Sequence, residues 1–201
     1  SFPTRRSSDL TIMTSTKDLL YYIPAGQYGK EGVLALLEQH PEIKFVSLVG
    51  IDLAGNDTDE KIPMAAFFDD YEAFFEGRAV QTDGSSVVLT NIATLNNARV
   101  DMWGDPSVNW FVDYNYENID EATGLPTGTL RIPAFLMHNY RYVDSRSILK
   151  NSCDYVRAEL LSLIKEHGLP GMPHVKADDV VDIIFTSATE LELDRKSTRL
   201  N

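Results

Sequence analysis

One cysteine, Cys153, is all the disulfide-forming capacity in a chain of 201 residues. A single thiol closes no internal bridge, the pattern expected of a protein held in a reducing cytoplasm. Basic residues are also scarce: 18 Lys and Arg stand against 30 Asp and Glu, for a net charge of −12. Nucleic-acid and anionic-membrane surfaces are built from clustered Lys and Arg, so neither is an expected partner. No apolar run reaches the ~20 residues that span a bilayer, and no signal-peptide pattern opens the chain. Of the four histidines, His40 and His167 sit at expected helix ends, where they suit the terminal carbonyls, and His138 and His174 have no partner at metal-ligand spacing. Cys-x-x-Cys, Gly-x-Gly-x-x-Gly and Gly-x-x-x-x-Gly-Lys are all missing, so zinc, dinucleotide, phosphate-loop and nucleophile-triad chemistry have no sequence support.

What is present is enough to build a core, with 43% hydrophobic residues. Both ends are set aside, because residues 1–12 and 194–201 resemble translated sequencing-adapter DNA. Met13 is the expected natural start, and the natural sequence is expected to continue past Leu193. Lys30 to His40 carries Val33, Leu34, Leu36 and Leu37 at helical spacing and ends at Pro41. Ile43 to Leu53 and Thr58 to Pro63 read as a hairpin about Ala54-Gly55-Asn56-Asp57. Met64 to Gly77 reads as a helix with an aromatic core face and a glycine stop. A hairpin, a helix and further short strands is the element order of an α+β domain of β-grasp type.

Further on, Leu89 to Trp103 reads as two short strands or a strand and a loop, and Val108 to Tyr114 as a strand, with Asp105-Pro106-Ser107 as the turn before it. Asn115 to Gly128 loses periodicity and reads as a loop near a domain boundary. Thr129 to Met137 is expected to be a strand, with Pro133 marking an edge or bulge. A helix follows, capped by Asp144 or Ser145, with Leu149, Cys153, Val156, Leu160, Leu163 and Ile164 on one face and Gly168 as its stop. The expected divisions are an N-terminal helical extension over 13–41, a β-grasp domain over 42–126 and an incomplete second domain over 127–193. Lacking most partner strands, residues 129–193 are expected to be loosely ordered.

Two stretches carry candidate chemistry. Val180 to Phe185 is a short β-branched run that reads as a buried strand; continued to Glu190-Leu191-Glu192, it places Glu190 and Glu192 on one face. Two carboxylates in one space suit a hard divalent cation, Mg²⁺ or Mn²⁺, although the same spacing also suits a solvated strand face. Gln81 to Ser86, containing Asp83-Gly84-Ser85-Ser86, reads as a surface loop: either ordinary turn chemistry, or a carboxylate and hydroxyls offered to a ligand.

In order and spacing, Phe45 to Pro63, Asp83-Gly84-Ser85-Ser86, Asp105-Pro106-Ser107, Asp144-Ser145-Arg146-Ser147 and Glu190-Leu191-Glu192 resemble the opening of a glutamine synthetase of the bacterial, type I-like kind. The resemblance covers Lys44 to Leu193. It implies a β-grasp domain followed by the truncated beginning of the catalytic α/β domain, in a cytoplasmic homo-oligomer, a dodecamer of two stacked rings in many members. It also implies the substrates L-glutamate, ammonium and ATP, joined through γ-glutamyl phosphate, with Mg²⁺ or Mn²⁺. By this analogy Asp83 helps to bind and deprotonate ammonium, Ser86 acts in the same loop, and Glu190 and Glu192 ligate metal. Val87-Val88-Leu89-Thr90 departs from the Gly-Gly-Trp-like sequence common after that loop. The remaining metal, glutamate and nucleotide ligands of the family would lie beyond this chain, which is therefore expected to be inactive alone. A γ-glutamyl-polyamine ligase of the same superfamily and a non-catalytic β-grasp interaction module are the alternatives.

Overall fold

A computed structural model describes residues 19–27, 29–87 and 98–188. Contacts divide the chain into two units, Ser1–Ile148 and Leu149–Asn201.

The first unit is α+β, with a mostly antiparallel sheet and few helices. Its elements are β1 (Tyr22–Ile23), α1 (Lys30–Glu38), β2 (Ile43–Ile51), β3 (Asp57–Pro63), α2 (Met64–Asp69), β4 (Val80–Asp83), β5 (Arg99–Gly104), β6 (Trp110–Ile119), β7 (Pro126–His138) and β8 (Arg141–Tyr142). The main ladder runs β1-β6-β7-β2-β3. Within it β2 and β7 pair in parallel, and every other pairing is antiparallel.

The hairpin β2–β3 forms where it is expected. Asp52 is buried and accepts from the Ala54 N–H at 2.9 Å, the Asn56 N–H at 2.9 Å and Asn56 Nδ2 at 3.0 Å. One carboxylate thus satisfies the turn donors that the strands cannot reach. The expected helix over Met64 to Gly77 is instead two short pieces, α2 and a 3₁₀ turn at Tyr71–Phe74. Asp70 interrupts them with φ −139° and ψ 65°, and its carboxylate accepts from the Ala73 N–H at 3.3 Å, starting a new turn. Asp70→Ala is expected to cost about 1 kcal/mol, the usual worth of an N-cap, read as a shift in the urea midpoint. Gly77 ends the segment at φ +67°, where a Cβ would stand 1.9 Å from Trp103 Nε1.

β7 organises the unit. Its first half pairs with β2 and β6, through Leu130 against Val46 and Val112, and its second half pairs with β5, through Leu136 against Met102. Pro133 lies where the partners change: it is the last residue in register with β2, and its carbonyl accepts from the Asp105 N–H at 2.8 Å. Having no N–H to give, proline suits the point at which one ladder ends and another begins. Leu130, Ile132 and Leu136 are fully buried with Val46, Leu48, Phe67, Val100 and Met102. Thr129 to Met137 is thus a central strand, not an edge, and not loosely held, because β2, β5, β6 and β8 all pair with it directly. Nor is 115–128 a loop: β6 continues to Ile119 and returns as β7 through a turn at Asp120, which accepts from the Leu125-anchored turn's Thr123 Oγ1 at 2.9 Å and pairs with Lys44 at 2.8 Å. α1, from the stretch expected to be an extension, places Val33 and Leu37 in the same core.

The second unit contains α3 from Leu149 onward; the helix as a whole spans Ser145–His167. Leu149, Val156, Leu160 and Leu163 are exposed along it. Residues 180–188 take no regular secondary structure, and Val181 and Ile184 are 88% and 80% exposed. The buried strand expected at Val180 to Phe185 is therefore not formed. A β-branched run becomes a strand only beside another, and none of the described residues pairs with this one.

Candidate functional site

The second ladder, β4-β5-β7-β8, carries the site. On β5, burial alternates so that Val100, Met102 and Gly104 face the core while Arg99, Asp101 and Trp103 share the opposite face. Register places Asp83 opposite Arg99, Gln81 opposite Asp101, Met137 opposite both Asp101 and Tyr142, and Phe135 opposite Trp103.

Asp83 closes β4 and opens a single 3₁₀ turn, Gly84–Ser86. Its Oδ1 accepts from the Ser85 N–H at 2.7 Å, and the Gly84 N–H donates to the Ala98 carbonyl. Asp83 and Ser86 are exposed, while Gly84 and Val87 on either side are buried and anchor the turn. Hydrogen bonds from the Ser85 side chain and backbone hold the Asp83 carboxyl below the usual carboxylate range. The turn therefore presents a fixed negative charge to solvent, which can attract a cation.

Two further motifs meet beneath the ladder. Asp105, at the end of β5, is 2% exposed and accepts from the Ser107 N–H at 2.9 Å, Ser107 Oγ at 2.5 Å and Arg146 Nη2 at 2.5 Å. Its own carbonyl accepts from Trp110 Nε1 at 2.9 Å. Burial alone would raise the Asp105 carboxyl, but the hydrogen bonds from Ser107 and Arg146 outweigh it and hold the group low. The Arg146 guanidinium lies 5.0 Å from the centre of the Phe135 ring. Asp144 is fully buried and N-caps α3: it accepts from the Ser147 N–H at 2.8 Å, from Ser147 Oγ at 3.0 Å and from the Leu136 N–H at 3.2 Å. One aspartate thus joins the helix start to the central strand, and the other joins the turn after β5 to the same helix start.

A cleft of about 290 Å³ opens on the face of β5, between Arg99, Asp101 and Trp103, the end of β7 at Met137 and His138, and the turn Asn139–Tyr140. Arg99 Nε lies 2.9 Å from Asp101 Oδ1. His138 Nδ1 is 3.0 Å from the Arg99 carbonyl, and its Nε2 is 2.9 Å from Asn139 Nδ2. Because a carbonyl only accepts and an amide nitrogen only donates, the imidazole carries its proton on Nδ1.

Of the residues expected to act, the structure places Asp83 and Ser86 together on one turn. Glu190 and Glu192 lie outside the described residues. Among the described residues, no group of three or more His, Cys, Asp or Glu comes together as a metal site, and no helix is long and apolar enough to cross a membrane. Sequence reasoning passed over Arg99 and Asp101, for which the polar alternation Arg99-x-Asp101 was the one signal, and saw in His138 only a histidine without a metal-ligand partner. No family model matches the chain, and no curated protein matches it.

Proposed function

We propose that this chain is the N-terminal part of an ATP-dependent glutamate–ammonia ligase, a glutamine synthetase. The observation that carries the reading is the Asp83 turn: an ionised, exposed carboxylate pinned by Ser85 at the end of a strand, in the Asp-Gly-Ser-Ser setting where the family holds ammonium. The sheet order supports it too. A parallel central pair, β2 and β7, flanked by antiparallel β3 and β6, with α2 following the first hairpin, supports a β-grasp reading of the first unit. β7 belongs to the centre of the first unit, so in this reading the catalytic domain begins after it and not at residue 127; the whole protein is a cytoplasmic homo-oligomer.

Each group then has a physical role. Asp83 attracts ammonium, accepts its proton and leaves ammonia to attack; Ser86 adds a hydroxyl on the same turn. Glu190 and Glu192 offer the all-oxygen donor set that Mg²⁺ or Mn²⁺ prefers. Glu190 and Glu192 would hold such an ion, which would supply charge neutralisation for phosphoryl transfer from ATP to the glutamate γ-carboxylate.

The test is phosphate release from ATP and L-glutamate with Mg²⁺, in the protein that joins this chain to the rest of its catalytic domain, with ammonium or putrescine as acceptor. Ammonium-dependent release is expected. Release with putrescine alone assigns the protein to the γ-glutamyl-polyamine ligases, and no metal-dependent release with either leaves the first unit as an interaction module.

A further inference from the structure

The turn between β7 and β8 is built on an uncommon residue. Asn139 and Tyr140 both have positive φ, 48° and 61°, with His138 paired to Arg141 on either side. A two-residue hairpin of this hand is usually made by Asn-Gly, because glycine has no Cβ to strain the left-handed backbone. Tyrosine in the second position carries that strain and gains no packing within the described chain, since its side chain is 93% exposed. Strain retained without an internal contact points to a contact made with something else.

The cleft below Tyr140 indicates what. It is lined by the Arg99–Asp101 pair and by Met137, Trp103 and Tyr140, whose side chains are apolar or flat, with the Tyr140 ring free to turn onto a ligand. The Arg99 side chain is 67% exposed, and such solvent-exposed pairs contribute little net stability, so either partner can be exchanged for a ligand group at small cost. Asp101 Oδ1 lies under the guanidinium, 2.9 Å from Nε, yet it is buried without an aligned donor and keeps acceptor capacity. If Arg99 turns to a ligand carboxylate, its fork is satisfied and Asp101 is opened to a ligand ammonium. A ligand that satisfies both carries opposite charges close together, and the walls favour a flat or apolar body beside them. The cavity is at the small end of ligand pockets.

We infer that the cleft binds a small zwitterion, a free α-amino acid with a flat side chain, its carboxylate on Arg99, its ammonium on Asp101 and its side chain against Tyr140. This inference does not depend on the ligase reading, and its test needs no turnover. L-phenylalanine is titrated into the full 201-residue chain by calorimetry, beside 3-phenylpropionate and phenethylamine, each of which lacks one charge. Saturable binding of phenylalanine is expected, at least tenfold tighter than either half-ligand. Tyr140→Gly relieves the turn, so it is expected to raise the urea midpoint while weakening phenylalanine at least tenfold; Tyr140→Phe keeps both ring and affinity. Arg99→Gln is expected to bring phenylalanine down to the affinity of phenethylamine. No saturable binding, equal affinity for the three compounds, or unchanged affinity in Tyr140→Gly overturns the assignment.

Discussion

In the proposed ligase, Asp83→Ala is expected to lower ammonium-dependent phosphate release by about 100-fold, the lower range for a positioned proton acceptor. Alanine removes the only carboxylate on the Gly84–Ser86 turn and keeps the backbone, since φ −75° and ψ 138° at position 83 suit any residue. It also removes the acceptor of the Ser85 N–H. Asp83→Asn separates the two effects, because the amide oxygen can still accept from Ser85 while the charge is gone. If charge is what matters, Asn falls as far as Ala; near-normal turnover in Asn would reduce Asp83 to a shaper of the turn. The pH profile is a second check. Since hydrogen bonds from Ser85 hold the carboxyl below its ordinary value, Asp83 is already ionised well below neutrality. Any rise in rate between about pH 6 and 8 must then come from another group, and the wild-type profile there should show no limb that Asp83→Asn abolishes.

Asp105→Asn is expected to destabilise the first unit by about 3 kcal/mol, at the low end for breaking a buried ion pair because the Arg146 side chain is 38% exposed and part of its stranded charge is hydrated. Asparagine keeps one acceptor for Ser107 but cannot hold both oxygens toward Ser107 and Arg146 as an anion. The pH dependence has a definite sign. The folded-state carboxyl of Asp105 is held low, so its contribution is present above the unfolded value of about 3.9 and is lost as pH falls through the folded value. The difference in urea midpoint between wild type and Asp105→Asn should therefore be constant near neutrality and narrow below about pH 4. A difference that stays constant to pH 3 would mean that the pair's charge contributes nothing and that only packing was lost.

Part of this structure follows from local chemistry and was readable from residue order. The hairpin β2–β3 rests on Asp52, Gly55 and Asn56, α1 on an apolar stripe ended by Pro41, and the start of α3 on Asp144 with Ser147 three residues on. Asp83-Gly84-Ser85-Ser86 reads as an exposed turn because an aspartate two residues ahead of an N–H can cap it. Such interactions span at most four residues, so their partners are written side by side.

Tertiary structure decided the rest. Whether Thr127 to His138 opens a new domain or threads the centre of the first one depends on β2, some eighty residues earlier, which pairs with it in parallel. Asp105 meets Arg146, and Arg99 and Asp101 meet the Asn139–Tyr140 turn, only because β5 lies antiparallel to the second half of β7. The aliphatic run at Val180 to Phe185 shows the converse: its composition suits a strand, but a strand also needs a neighbouring strand to take its N–H and C=O groups, and among the described residues no strand pairs with it. Short-range capping and turn geometry are properties of the sequence itself, whereas strand pairing, burial of charge and the cleft on β5 belong to residues that only folding brings together.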